Sequence, residues 1–148
     1  MTLSAFLDTN IPIYATGTPH PLKAPCMEII LLAGRYQDAF ITDAEVLQEI
    51  LHRFLAIRRW PERKPMFTHF VNLMRDRTVP ILAEDVELAA DLAEAQPNSE
   101  ARDLIHLAVM RRLGVTHIIS ADSGFDGVPG IERLDPARFE EWRETMTS

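Results

Sequence analysis

Cysteine is almost absent: Cys26 is the single one in 148 residues, which excludes an internal disulfide framework and a zinc cluster built from thiolates. No run approaches the ~18 uninterrupted apolar residues that read as a membrane-spanning helix. The first eight residues, Met1 to Asp8, carry no basic segment and reach a carboxylate early, so a secretory signal is not expected there. Positive charge is scarce as well. Fifteen Lys and Arg stand against 22 Asp and Glu, a net charge of −7. Such a chain binds nucleic acid poorly without help, because phosphate affinity rests on Lys and Arg. Either the partner is not nucleic acid, or the surplus carboxylates gather where a metal ion reverses the local sign. What is present, 47% hydrophobic and 25% charged residues, suits one globular domain with its own core, expected in the cytoplasm.

Short apolar runs alternate with helical patterns along the chain. Leu3 to Leu7 reads as a buried strand closed by Asp8-Thr9-Asn10, a helix-capping sequence. Pro21 to Gly34 has helical spacing, and Ala39-Phe40-Ile41 is a second strand. Thr42 or Asp43 caps a helix whose apolar positions are Val46, Leu47, Ile50, Leu51, Phe54 and Leu55. A further helix runs from Pro61 to about Met74. Thr78 to Leu82 is a strand that Pro80, lacking an amide hydrogen, confines to an edge or a strand end. Helices follow over Glu84–Ala95 and Ser99–Leu113, the latter capped by Ser99 or Asn98 and ended by Gly114. Thr116 to Ser120 is a buried strand, 121–130 a loop, Ile131 to Leu134 a last strand, and Asp135-Pro136 opens a C-terminal helix. Strands separated by helices predict a mostly parallel sheet covered on both faces, a three-layer α/β/α sandwich in one domain over 1–148.

Ligand groups in such sheets collect beyond the carboxyl ends of the strands. Asp8 ends the first strand, and Asp122 lies just past the fourth, with Asp126 four residues on. Glu49 falls among Val46, Leu47, Ile50 and Leu51, and Asp103 opens the helix that carries His106. Each acid alone has an ordinary explanation as a cap, a first-turn residue or a turn residue. Together they make a hard-oxygen site suited to Mg²⁺ or Mn²⁺, ions that bind phosphate oxygens and lower the pKa of water. No convincing Ser or Cys nucleophile competes with them.

Four segments carry a resemblance: Phe6-Leu7-Asp8-Thr9-Asn10, Glu45-Val46-Leu47-Gln48-Glu49-Ile50-Leu51, Ala101-Arg102-Asp103-Leu104-Ile105-His106-Leu107-Ala108, and Ile119-Ser120-Ala121-Asp122-Ser123-Gly124-Phe125-Asp126. In this order and spacing they resemble the PIN-domain family, and within it the VapC-type toxins of bacterial toxin–antitoxin modules. The resemblance implies a Mg²⁺- or Mn²⁺-dependent endoribonuclease that cleaves phosphodiesters with metal-activated water. It places Asp8, Glu49, Asp103 and Asp122 as the family's four acids, with Glu45 and Asp126 as alternatives for the second and fourth. Asn10 and Ser120 match polar positions beside the site, where the family more often has Thr in place of Ser120. A homodimer and a cognate antitoxin that wraps the toxin are implied in the same way.

Other classes fit less well. A haloacid-dehalogenase-like phosphatase needs a second Asp two residues after the first, where this chain has Asn10. A receiver domain needs a Lys that is not evident here. A noncatalytic interaction module would have no use for mutually repelling carboxylates. The stretch Arg53, Arg58, Arg59, Arg63 and Lys64 around Trp60 reads either as a track for an RNA backbone or as a solvated helix face. The helices over 21–34 and 42–57 carry more apolar positions than one inward stripe needs, the mark of a dimer or partner surface.

Overall fold

In the computed structural model, which describes residues 3–147, five strands form one sheet in the order β3-β2-β1-β4-β5. They are β1 (Ala5–Leu7), β2 (Phe40–Asp43), β3 (Thr78–Val79), β4 (His117–Ile119) and β5 (Glu132–Leu134). Every neighbouring pair is parallel. The helices between them are α1 (Asn10–Thr16), α2 (Lys23–Arg35), α3 (Ala44–Ala56), α4 (Trp60–Leu73), α5 (Ala83–Ala95), α6 (Ala101–Leu113) and the short α7 (Phe139–Trp142). The three-layer α/β/α sandwich is the architecture expected from the alternation of strands and helices. Among the described residues no helix is long and apolar enough to cross a membrane.

The central strands are buried on both faces, which is why they read as continuous apolar runs rather than alternating ones. Phe6, Leu7, Phe40, Ile118 and Ile119 are each inaccessible or nearly so. Register is set by Phe6 opposite Ile41 on one side and Ile118 on the other. β3 stops at Val79, immediately before Pro80, and occupies a sheet edge as proline requires.

The order in which strands are added switches sides between β1 and β4. From β1 the chain steps outward to β2 and β3, then returns across the sheet to β4 and β5. The crevice at that point is where open parallel sheets bind ligands.

Of two capping expectations, the structure meets the first through one of its alternatives and changes the second. Asp43, not Thr42, caps α3, its Oδ1 accepting from Val46 N at 2.9 Å. α6 starts after Glu100 with no side-chain cap, because Ser99 and Asn98 line the neighbouring cleft instead.

α5 and α6 are tied by a fork. Arg112 donates from Nε to Asp85 Oδ1 at 2.9 Å and from its terminal nitrogen to Oδ2 at 3.0 Å. The same Oδ2 accepts from Leu82 N at 2.8 Å. The Arg112 fork holds the Asp85 carboxyl below its ordinary pKa. Asp85 is buried, so removal of its partner leaves an unmet charge. Arg112→Ala is expected to cost about 2 kcal/mol at neutral pH. A depressed carboxylate pKa stabilises above its unfolded value, so the loss shrinks as pH falls below about 4. Urea unfolding at pH 7 and pH 3.5 checks both points.

Candidate active site

Asp8 follows β1 directly, and the ladder continues through it, its amide donating to Ile119 O at 3.1 Å. Its carboxylate accepts from Thr9 N at 2.8 Å on Oδ1, and on Oδ2 from Ser120 Oγ at 2.6 Å and Asn10 Nδ2 at 3.3 Å. Asp8 therefore does not cap α1, whose start carries no side-chain cap. Asn10 in turn accepts from Ala121 N at 3.1 Å, and Ser120 Oγ accepts from Asp122 N at 3.0 Å. The loop after β4 is thus knitted to the end of β1 by two polar side chains. Asp122 turns this loop by accepting from Gly124 N at 2.8 Å, where a Cβ at residue 124 would lie 3.0 Å from the same oxygen.

Glu49 comes from the middle of α3 and is buried with Ile50 despite its charge. Asp103 comes from the first turn of α6. Asp8, Glu49, Asp103 and Asp122, from four separate elements, line one cleft of about 440 Å³ at the β1/β4 switch point. Burial, followed by the charge of Asp8 and then those of Asp122 and Glu49, pushes Asp103 up to about 6 against the opposing pull of His106. Burial and Asp8 likewise raise Glu49, while Arg102 and His106 act against the shift. The carboxylates are therefore close enough to feel one another, with too little positive charge among them to cancel the repulsion.

The donor set is all oxygen and rich in anionic charge, which fits Mg²⁺ or Mn²⁺. Among the described residues, no three His, Cys, Asp or Glu side chains already close into a ligand shell. That openness is compatible with Mg²⁺, which keeps several waters and takes one or two carboxylates directly.

The alternatives for the second and fourth acids separate clearly. Glu45 is half-buried in the first turn of α3 and is not part of the cleft wall. Asp126 reaches the cleft rim, yet its two oxygens accept from Arg133 at 2.8 and 3.1 Å. Arg133 also donates to Ser120 O at 3.0 Å, so this pair braces the loop.

Beneath the acids lies a buried node that periodicity does not reveal. His106 Nδ1–H donates to Asp43 Oδ2 at 2.8 Å, since a carboxylate only accepts. The imidazole's Nε2 sits 3.9 Å from Asp8 Oδ1 with no hydrogen-bond partner of its own among the described residues. Both side chains are wholly inaccessible. Asp43 thus caps the helix of Glu49 with one oxygen and holds the helix of Asp103 with the other. The remaining histidines build no second site; His20 stacks on Tyr14, and His117 pairs with Glu132 at 2.8 Å.

Of the basic stretch, Arg53 alone reaches the cleft wall. Arg59 pairs with Glu62 at 2.9 Å, Arg63 donates to Thr16 O at 2.7 Å, and Trp60 packs edge-on against Phe67. Cys26 is a core residue whose thiol burial pushes up to about 12. Gln96, Asn98, Ser99 and Glu100 complete the wall, residues whose own neighbourhood in the chain gives no hint of it.

A parallel sheet that gathers four acids at its switch point defines an oxygen-donor site of the kind used on phosphate esters. The family model of the PIN domain matches residues 5–131, from the start of β1 to just short of β5, and the chain belongs to that family. Among curated relatives, Ribonuclease VapC13 of Mycobacterium tuberculosis is 41% identical over 128 residues, covering 86% of this chain and 97% of its own. VapC ribonuclease Mb1869c of Mycobacterium bovis matches to the same extent. Among solved structures, FitAcB from Neisseria gonorrhoeae superposes with a TM-score of 0.66 at 13% identity, covering 90% of this chain and 99% of that one. A toxin–antitoxin complex from Klebsiella pneumoniae gives 0.59 at 16% identity, covering 90% and 98%. At these identities the structural likeness concerns the fold.

Proposed function

We propose that this protein is a divalent-metal-dependent endoribonuclease, the toxin of a toxin–antitoxin pair. The observation that carries this reading is the meeting of Asp8, Glu49, Asp103 and Asp122 in one cleft, where burial and the charge of Asp8 raise the proton affinity of Glu49 and Asp103. The relatives named as VapC ribonucleases support the substrate class.

Asp8, held by Ser120, Asn10 and the Thr9 amide, is the best-oriented ligand for a Mg²⁺ or Mn²⁺ ion. Asp103 and Asp122 line the same cleft and would complete the donor set. A divalent cation held by these residues would supply charge neutralisation at the scissile phosphate and make a water easier to deprotonate. Glu49 carries a raised proton affinity and stands at the cleft wall, which suits it to orient the attacking water and take its proton. Asn10 and Ser120 keep the carboxylate of Asp8 in one rotamer, so that no reorganisation is required on substrate arrival.

An antitoxin partner follows from the same reading, supported by the toxin–antitoxin complex among the structures of this fold. Leu31 on α2, 68% exposed, and Leu55 and Ile57 at the end of α3, 53% and 57% exposed, offer apolar surface for a second copy or for that partner.

Single-stranded and structured RNA, incubated with the antitoxin-free protein, tests the proposal. Cleavage is expected with Mg²⁺ or Mn²⁺, none with EDTA, and a loss of about 1,000-fold in Asp8→Asn, the scale of several kcal/mol of charge stabilisation. Intact RNA in every divalent ion, from a protein that is folded and binds metal, would reject RNA as substrate.

A further inference from the structure

Of the cations in this protein, the cleft wall holds two, Arg53 from α3 and Arg102 from α6, among the described residues. Arg53 stands one turn along α3 from Glu49, and Arg102 reaches Glu49 from α6. Arg102 Nε lies 3.2 Å from Glu49 Oε1 and also pairs with Glu100, while an Arg53 terminal nitrogen lies 4.0 Å from Glu49 Oε2. Both side chains keep open faces, with 44% of Arg53 and 38% of Arg102 accessible.

These contacts differ in kind from the protein's structural arginine pairs. Arg112 and Arg133 each grip a carboxylate with two nitrogens at 2.8 to 3.1 Å. Arg53 and Arg102 instead meet Glu49 one nitrogen at a time, and the second partner of Arg102 is an exposed glutamate. A guanidinium is built to take two oxygens of a phosphate at once, and neither of these is saturated by Glu49.

The rest of the wall is hostile to a polyanion. Asp8, Glu49, Glu100, Asp103, Asp122 and Asp126 all contribute carboxylates, in a chain of net charge −7. A phosphodiester backbone entering there needs fixed positive groups beside the reacting phosphate, and the basic stretch farther along α4 does not reach the wall. We propose that Arg53 and Arg102 form a two-sided clamp for RNA backbone phosphates on either side of the cut, with Glu49 holding them in place until RNA arrives. This assignment rests on the ribonuclease reading and extends it to the residues that grip the substrate.

The test compares Arg53→Gln and Arg102→Gln with Arg58→Gln and Arg59→Gln, which remove the same charge outside the cleft wall. Binding of a fluorescent single-stranded RNA is followed by anisotropy in Ca²⁺ across a salt series, and KM and kcat are measured separately in Mn²⁺. Each clamp variant is expected to bind RNA about 10-fold more weakly. Each should also lower the slope of log K against log salt by about 0.7, one phosphate contact on a single strand. KM should rise with the melting temperature unchanged, and Arg102→Lys should recover part of the loss. Equal losses in all four variants would show only general charge and overturn the clamp. A fall in kcat with unaltered RNA binding would make Arg102 a positioning group for Glu49 and overturn it as well. Wild-type protein that cleaves RNA while the clamp variants keep its KM would remove the clamp alone. Wild-type protein that neither binds nor cleaves RNA would remove the ribonuclease reading and the clamp with it.

Discussion

Asp103→Asn should abolish RNA cleavage and at the same time make the metal-free protein more stable. The carboxyl of Asp103 is pushed up to about 6 by burial and then by Asp8, with Asp122 and Glu49 adding to the shift. A carboxylate whose folded pKa exceeds its unfolded one stabilises the fold fully only below the unfolded value, about 3.9. That contribution is lost as pH rises through about 6, so at pH 7.5 the ionised group works against the fold. Asparagine keeps the shape and drops the charge. The gain should be about 1 to 2 kcal/mol once solvent screening of a part-exposed group is allowed for. Near this chain length that corresponds to about 3 to 6 °C in Tm.

Below about pH 4 both side chains are neutral and the two proteins should melt together. Millimolar Mg²⁺ should reverse the order, because a cation that binds the native state stabilises it by mass action and the variant has lost a ligand. Thermal melts in EDTA at pH 4 and 7.5, then in Mg²⁺, read all three points. A variant that melts lower than wild type in EDTA at pH 7.5 would mean that Asp103 is a structural acid rather than a strained one. Mg²⁺ should bind more weakly as pH drops through about 6, where Asp103 of the metal-free protein takes up a proton that the cation must displace.

The second large effect concerns the pair under the site. His106→Ala should cost about 3 to 5 kcal/mol, the range for breaking a buried charged pair from one side. Burial works to lower the pKa of His106, yet the hydrogen bond to Asp43 and the charges of Asp43, Asp8 and Glu49 outweigh it and raise the value. A raised imidazole pKa stabilises fully below the unfolded value near 6.5, and the benefit declines as pH climbs through the folded one. Asp43→Ala should be at least as harmful, since it also removes the cap of α3, worth about 1 kcal/mol. Urea midpoints at pH 6 and pH 9 measure this, with the wild-type advantage smaller at the higher pH. A loss under 1 kcal/mol in both variants would show that α3 and α6 hold together without the node.

Much of this was readable from residues because the fold obeys strong local rules. Short apolar runs closed by Asp8 and Ser120 marked the carboxyl edge, and the parallel order then brought Asp8, Glu49, Asp103 and Asp122 to one cleft. Pro80 fixed the edge position of β3 because it lacks a donor. The resemblance chose Glu49 over Glu45, and of the two Glu49 lines the cleft. What was not legible depended on partners distant in sequence. Nothing near Asp126 announces that Arg133 will occupy both its oxygens, and nothing near Asp43 announces His106, 63 residues on. The Asn98-Ser99 pair before α6 looks like a cap in isolation, but both residues line the cleft and α6 starts without a side-chain cap.

The strand order also governs when this cleft can exist. Asp8 rides on the first strand made, and the partner that aligns it, β4 with Ser120 and Asp122, comes more than a hundred residues later. A chain is synthesised from its N-terminus, so β1 and β2 can meet early while the other flank of β1 stays bare. Until β4 is made, the leading carboxylate lacks Ser120 and Asp122, whatever α3 and α6 have already contributed. Asp8 therefore gains its Ser120 contact, and the Asp122 loop beside it, only once β4 has paired with β1.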